Sequence, residues 1–227
     1  MDGAKHELRS DSMGLRLLPV NFLIATSDVD HADWNFRPVV GRVIRLRYRM
    51  LQQILAGRQL GRVLEIGYGS GVFLPHLAQQ STALFGIDPH PHVTQVTEVL
   101  NRFGVHADLK SGTATELPYD DHFFDSILAV SSLEFIDDLP RACREIRRVL
   151  KPGGMLAVVT PGQSKLLDLA LQVLTGASPR DDFGNRRKGI IPTLLEHFDL
   201  RRRVDRPRVL HRLIRLYTAM ELTARNV

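Results

Sequence analysis

The chain has 227 residues, of which 44% are hydrophobic and 24% are charged, and its formal net charge at neutral pH is +5. This length and balance are typical of one large globular domain and exclude a wholly disordered chain, a collagen and a coiled coil. A membrane-spanning helix is also excluded, because no run of about 18 apolar residues is present.

The first third of the chain combines a polar leader with a basic helix. Residues 1–36 are polar and aperiodic, which predicts a flexible leader or a lid. Residues 38–59 begin with a proline and repeat apolar side chains at helical spacing, so they predict a helix. Seven arginines and no acid lie between residues 37 and 62. Such a basic amphipathic helix is compatible with peripheral contact to an anionic membrane, and equally with a solvated face.

The middle of the chain alternates short apolar runs with amphipathic stretches. The predicted strands cover residues 62–67, 83–88, 105–110, 124–130 and 155–160. The predicted helices between them cover residues 71–79, 91–103 and 139–150. Near-continuous apolar strands that alternate with helices indicate a parallel sheet covered on both faces. The single cysteine, Cys143, lies in the last of these helices and is predicted to be packed and inert.

The last third departs from this alternation. The pattern predicts a helix over 163–174, a loop over 175–189 and a short helix over 192–197. Two strands, 198–205 and 216–224, then follow without a helix between them, which predicts an antiparallel edge. We therefore expect an α/β fold with a seven-stranded, doubly wound, mostly parallel sheet. Residues 37–227 form one domain in this interpretation, with 162–227 on the substrate side.

A glycine-rich turn after the first strand carries the clearest chemical signal. Glycine is needed where the backbone takes a positive φ or lies against a ligand, and a following helix N-terminus favours an anion. A dinucleotide fingerprint requires glycine at position 72, where this chain has Val72, so a nicotinamide-dependent oxidoreductase is disfavoured. The turn instead reads Glu65-Ile66-Gly67-Tyr68-Gly69-Ser70-Gly71.

Further blocks follow in a fixed order. Asp88-Pro89 ends the second strand, Thr113 and Ala114 follow the third, and Ser131 follows the fourth. A basic helix end then runs into the turn Lys151-Pro152-Gly153-Gly154 before the fifth strand. In order and spacing, residues 60–161 resemble the class I S-adenosylmethionine-dependent methyltransferases of the type 11 kind, which have a Rossmann-like fold.

The resemblance implies S-adenosyl-L-methionine as cofactor. Asp88 stands where the family holds the ribose, although an N-cap of the helix 91–103 is an alternative role. Thr113 stands where the family often has an acid, so its hydroxyl or the main chain of Ala114 is expected near the adenine, and Ser131 near the methionine moiety. The full set implied to bind the cofactor is Glu65, Gly67, Tyr68, Gly69, Gly71, Asp88, Pro89, Thr113, Ala114 and Ser131.

The catalytic group and the acceptor stay open at this stage. The histidines considered as a base are His31, His90, His92 and His122, whereas His76 is expected to be structural. No metal site is predicted, because no third ligand stands near His90 and His92. Phe135 and Thr113 break the family pattern and leave a non-catalytic, cofactor-binding partner subunit as an alternative.

A small-molecule or lipid-like acceptor is the favoured interpretation for a cytoplasmic enzyme of this kind. RNA and protein remain alternatives, with nucleic acid disfavoured because only 7% of residues are aromatic. Residues 33–47 are interpreted either as a lid or wall of the acceptor pocket, or as a helix packed on the sheet with Trp34 as its anchor. The sequence does not indicate the oligomeric state.

Overall fold

A computed structural model describes residues 8, 10–11, 14–27, 32–37, 40–162, 186–207 and 216–225. The α-helices are α1 (Val40–Leu55), α2 (Leu74–Leu77), α3 (Val93–Arg102), α4 (Leu139–Val149) and α5 (Arg186–His197). The strands are β1 (Gly61–Ile66), β2 (Ser81–Asp88), β3 (Asp108–Ser111), β4 (Phe124–Val130), β5 (Leu150–Pro161), β6 (Phe198–Arg206) and β7 (Tyr217–Ala224). Short 3-10 helices cover Val20–Phe22, Ala32–Phe36 and Leu133–Phe135.

The strands of the described ranges form one seven-stranded sheet in the order β3-β2-β1-β4-β5-β7-β6. The strands β1 to β5 run parallel, and β7 is antiparallel to both β5 and β6. The predicted α/β fold, with a mostly parallel sheet and an antiparallel C-terminal edge, is confirmed. The chain reverses its direction of winding between β1 and β4, which is where sheets of this kind bind ligands.

Helices cover both faces of the sheet, as strands that are apolar on both sides require. Successive side chains of β1 point to opposite faces, so Val63 belongs to one apolar cluster and Leu64 to the other. The first cluster includes residues of α1 and α3, and the second includes residues of α4 and α5. Cys143 is buried in the second cluster, where burial raises the pKa of its thiol to about 12.

The segment predicted as a flexible leader is packed where the structure describes it. Leu15 and Leu18 are fully buried in the first apolar cluster, and the Leu18 N–H donates to the carbonyl of Val72 at 3.1 Å. Four leucines of residues 8–18 are buried. The segment packs because burial of these apolar side chains is favourable even without regular secondary structure. Its sequence has neither helical nor strand periodicity, and so the pattern did not predict this packing.

Three further elements differ from the expectation. The helix predicted over 71–79 contracts to the four residues of α2. The turn at 151–154 lies inside β5, where Leu150 pairs with Phe124 and Met155 with Ser126, so the extra residues bulge out of the strand.

Residues 186–189, predicted as loop, belong to α5, which also contains Pro192. Burial of Ile190 and Leu194 offsets the poor helix propensity there. The helix predicted over 163–174 lies outside the described residues.

No helix in the described part of the chain is long and apolar enough to cross a membrane.

Candidate functional site

A cavity of about 900 Å³ opens at the carboxyl ends of β1, β2 and β4. Its size is within the range of small-molecule sites, and its place is the switch point of the sheet. Nine of the ten residues predicted to bind the cofactor line it; Gly71 does not. The nine are Glu65, Gly67, Tyr68, Gly69, Asp88, Pro89, Thr113, Ala114 and Ser131.

The glycine turn brings the backbone of β1 against this cavity. The Gly67 N–H donates to the carbonyl of Ile87 at 2.8 Å, and Gly67 has a φ of +78° that other residues adopt poorly. Gly71 serves packing instead, because a Cβ there would lie 3.0 Å from Cγ1 of Val96 in α3. The expectation of a helix N-terminus facing the ligand is not met, because α2 has only four residues and correspondingly little dipole.

Asp88 ends β2 with its carboxylate held by two main-chain donors. Its Oδ2 accepts from the Gly69 N–H at 2.9 Å, and its Oδ1 accepts from the His90 N–H at 3.3 Å. The N-cap position of α3 is His92, so the alternative role of Asp88 as the cap of that helix is wrong. The two donors orient the carboxylate at the cavity wall.

His90 is the one candidate base among the described histidines that lines the cavity. Its Nδ1 accepts from the His92 N–H at 3.1 Å, so its Nε2 carries the proton and donates to the Gly69 carbonyl at 2.9 Å. Both ring nitrogens are therefore engaged in holding the turn. His92 and His122 do not line the cavity, and His31 lies outside the described residues. His76 packs elsewhere, with a ring nitrogen 3.2 Å from Nε2 of Gln52.

The ends of β3 and β4 supply two further hydroxyl-bearing positions. The Thr113 hydroxyl is 2.8 Å from that of Thr115, and the neighbouring Ala114 is buried against the cavity. Ser131 has a φ of +53°, unusual for a residue other than glycine, and its N–H donates to the carbonyl of Val159 at 2.7 Å. Its Oγ is buried with no hydrogen-bond partner. Such backbone strain beside an unsatisfied polar atom is typical of a ligand site.

Glu65 places a buried carboxyl on the same wall. Only 4% of its surface is exposed, and its Oε2 has no hydrogen-bond partner. Burial raises the pKa of Glu65 to about 8, with Arg47 acting to lower it and Asp88 to raise it. An unpartnered buried carboxyl is costly, so this position favours a ligand that brings a proton donor or a positive charge.

A second set of ionisable side chains lines the cavity, and the sequence did not single it out as a unit. The set contains Arg47 of α1, Glu134 of the 3-10 helix after β4, Arg187 of α5 and Tyr217 of β7. Burial raises the pKa of Glu134 to about 7, although Arg187 and Arg47 act to lower it. The set joins four elements that are distant along the chain. The sequence signal for this set was Glu134, but the resemblance drew attention only to the neighbouring Phe135, which breaks the family pattern.

Within the described ranges, no group of three or more His, Cys, Asp or Glu side chains is placed to hold a metal ion.

Comparison with known proteins identifies the same region. The model of the methyltransferase domain family matches residues 64–158. A ubiquinone biosynthesis O-methyltransferase of Azorhizobium caulinodans is 31% identical over 44% of this chain and 40% of that protein. A phosphatidylethanolamine N-methyltransferase of Cereibacter sphaeroides is 32% identical over 44% of this chain and 50% of that protein. The match thus spans half or less of these curated relatives.

Solved structures extend the likeness to most of the chain. The N-methyltransferase NodS from Bradyrhizobium japonicum, in complex with S-adenosyl-L-homocysteine, has a TM-score of 0.62 and is 17% identical. The match covers 89% of this chain and 95% of that protein. At this level of identity the comparison shows the shared fold.

Proposed function

We propose that the protein is a class I S-adenosylmethionine-dependent methyltransferase that transfers a methyl group to a small-molecule or lipid-like acceptor, and the match of residues 64–158 to the methyltransferase domain family supports this proposal. The observation that carries the proposal is the convergence of nine predicted cofactor residues on one cavity at the switch point of the sheet. These residues come from the ends of β1, β2 and β4 and from the segment after β3. Their order along the chain was the basis of the family resemblance, and their meeting in space is an independent observation.

The residues present fit the cofactor. Asp88, oriented by two main-chain donors, is suited to accept hydrogen bonds from both hydroxyls of a ribose. The orphaned Oε2 of Glu65 and the orphaned Oγ of Ser131 would hold the polar groups of the methionine part. The main chain of Ala114 and the Thr113 hydroxyl would contact the adenine, while the glycine turn leaves room beside the backbone.

Transfer itself rests mainly on positioning. When bound, S-adenosylmethionine supplies a methyl group that is already activated by its sulfonium. The task left to the protein is to hold the acceptor in line and to exclude water, and orientation of this kind supplies much of the rate gain. Apolar residues on the cavity wall suit this task, and they include Trp34, Val43, Ile44, Phe135 and Ile136.

The small-molecule or lipid-like acceptor is supported by two features. The cavity has the volume of a small-molecule site and an apolar part of its lining, which suits a compact or lipophilic acceptor. The names of the two curated relatives point to a quinone pathway and to a phospholipid, and we extend that class to this chain.

Calorimetric titration with S-adenosylhomocysteine tests the cofactor site. We expect micromolar binding by the wild type and a loss of tenfold or more in Asp88→Ala, because hydrogen bonds to a charged group contribute about 1.5–3 kcal/mol. Asp120→Ala, which removes an exposed carboxylate outside the cavity, is the matched control and should bind normally. A folded wild type that does not bind would overturn the proposal.

A second experiment separates an enzyme from a non-catalytic subunit. The protein is incubated with cofactor carrying a labelled methyl group and with fractions of small metabolites, lipids, RNA or protein. We expect label in the metabolite or lipid fraction. Cofactor binding without transfer to any fraction would favour the partner-subunit alternative.

A further inference from the structure

The set formed by Arg47, Glu134, Arg187 and Tyr217, here termed the charged cluster, contains none of the ten predicted cofactor residues. Its members nevertheless line the same cavity. They also influence one another electrostatically, since Arg47 and Arg187 both act on Glu134 and on Tyr217. A cavity that holds two ligands needs a second group of polar contacts, and the charged cluster is placed to provide it.

Glu134 is the most deeply buried member of the charged cluster. Only 1% of its surface is exposed, and its Oε2 has no hydrogen-bond partner. It lies three residues after Ser131, so it stands near the position expected for the methionine part of the cofactor. A buried carboxyl whose pKa is about 7 exchanges its proton readily at neutral pH, which is the property of an efficient general base.

Arg47 brings a guanidinium to the same cavity. Its Nη2 donates to the Tyr48 hydroxyl at 3.1 Å, and its Nε is buried with no hydrogen-bond partner. The carboxyl of Glu65 is protonated at neutral pH, because its pKa is about 8, and so it does not balance the charge of Arg47. A guanidinium with spare donors and an incomplete counter-charge is suited to a phosphate or carboxylate group.

We propose that Arg47 and Glu134 form the acceptor subsite, in which Arg47 binds an anionic phosphate or carboxylate group of the acceptor and Glu134 takes the proton from the hydroxyl or amine that is methylated. The inference rests on the proposed methyltransferase function and specifies its acceptor. In the step, a bond forms between the acceptor oxygen or nitrogen and the methyl carbon. The sulfonium–methyl bond breaks with its electron pair left on sulfur, and the acceptor proton passes to the Glu134 carboxylate.

The groups around Glu134 determine how the subsite responds to pH. As the pH rises through about 7, Glu134 ionises and competes with a bound anion for Arg47. Anion affinity should therefore fall with rising pH, and anion binding near neutral pH should take up a proton. Among the described residues, the charged and titratable groups that share the cavity with Glu134 are Arg47 and Tyr48 of α1, Glu65 of β1, Tyr68 of the glycine turn, Asp88 of β2, His90 after it, Asp137 and Asp138 before α4, Arg187 of α5 and Tyr217 of β7.

The sole tryptophan, Trp34, lines the cavity, so its fluorescence reports binding without an identified acceptor. Protein saturated with S-adenosylhomocysteine is titrated with octyl phosphate, octanoate and octanol, which share an apolar tail. We expect the anionic probes to bind at least tenfold more tightly than octanol. Binding of octyl phosphate alone would identify a phosphate-bearing acceptor, and binding of both anions would extend the site to carboxylates.

Variants assign this preference to the two residues. Arg47→Gln should lose the preference for anions, Arg47→Lys should keep part of it, and the exposed Arg49→Gln on the same helix should keep all of it. Glu134→Gln should tighten anion binding above pH 7 and abolish its pH dependence, whereas the exposed Glu98→Gln should not. With a product from the labelled-methyl assay, Glu134→Gln should lower kcat roughly 100-fold or more, while KM above pH 7 falls and does not rise.

Two failures are distinguishable. A folded protein that does not bind S-adenosylhomocysteine overturns the proposed function, and this inference with it. A protein that binds S-adenosylhomocysteine but binds octanol as tightly as octyl phosphate, or is indifferent to Arg47→Gln, overturns the acceptor subsite alone. Retained S-adenosylhomocysteine affinity in Arg47→Gln shows that the variant is folded.

Discussion

Gly67 and Ser132 approach so closely that a Cβ on Gly67 would lie 2.3 Å from the Cβ of Ser132. The Ser132 hydroxyl donates to the carbonyl of Ile66 at 2.7 Å and so ties the end of β1 to the segment after β4. These two strands flank the switch point, and the contact therefore sets the spacing of the walls that carry Glu65 and Ser131.

Gly67→Ala should destabilise the fold by about 2–4 kcal/mol, because it combines a strained positive φ with a collision against Ser132. Gly57→Ala is the matched control, since Gly57 has a φ of +75° and nothing within 4 Å of an added Cβ. It should cost only about 1 kcal/mol. Urea denaturation measures both. Equal losses would show that strain alone, and not the contact, makes glycine necessary.

Glu65→Gln should make the protein more stable at pH 7.5 and flatten its dependence on pH. The folded pKa of Glu65, about 8, exceeds the ordinary value, so the unfolded chain releases this proton earlier. The contribution of Glu65 to the free energy of unfolding is therefore greatest below its unfolded pKa. It is lost as the pH rises towards 8, at roughly 1.4 kcal/mol per pH unit. Thermal or urea unfolding from pH 5 to 8 tests this. Parallel curves for wild type and Glu65→Gln would contradict it, and the exposed Glu98→Gln should match the wild type.

Arg148→Ala should destabilise the protein by about 2 kcal/mol, whereas Arg147→Ala should change stability little. The Arg148 guanidinium donates to Glu145, Asp121 and two main-chain carbonyls within 2.8–2.9 Å. The Arg147 side chain donates to one exposed carbonyl at 3.3 Å. Partial exposure of Arg148 limits the effect through solvent screening. Urea denaturation of the two variants measures this difference in stability, and similar midpoints would contradict a stabilising role of the Arg148 hydrogen bonds.

Trp34→Ala tests whether residues 33–47 act as a lid. As a wall residue of the cavity, Trp34 should contribute to binding, so calorimetry should show a several-fold loss of S-adenosylhomocysteine affinity. Phe36→Ala is the comparison, because Phe36 packs on the apolar core and does not line the cavity. It should cost stability without a loss of affinity. Intact affinity and normal turnover in Trp34→Ala would remove the lid interpretation and leave the role of a packed anchor.

The meeting of the proposed cofactor residues at one cavity was predictable, because the sequence signals for these residues are local. The turn from Glu65 to Gly71 and the acid Asp88 each follow a recognisable strand, and parallel strands bring their carboxyl ends to one edge of the sheet. The lack of a predicted helix between 198–205 and 216–224 likewise predicted an antiparallel edge, although not that β7 lies between β5 and β6.

The charged cluster was not predictable in this way, because no local pattern relates Arg47, Glu134, Arg187 and Tyr217. Their proximity depends on how α1 and α5 pack on the sheet and on the position of β7 within it. The extent of α5 was also hidden, since Pro192 is a poor helix residue and the burial of Ile190 and Leu194 that offsets it depends on tertiary packing.

The insertion of β7 between β5 and β6 has a consequence for how the molecule forms. β7 is synthesised after β6 yet must enter beside β5, so a nascent chain that ends after β6 exposes an unpaired edge on β5. Exposed edges of this kind pair readily with other chains, and non-local pairing slows folding. Among the described residues, Tyr217 is also the last along the chain to line the cavity. The cavity wall is therefore completed only after the ribosome has released the segment that carries β7, and until then the open edge of β5 is vulnerable to aggregation.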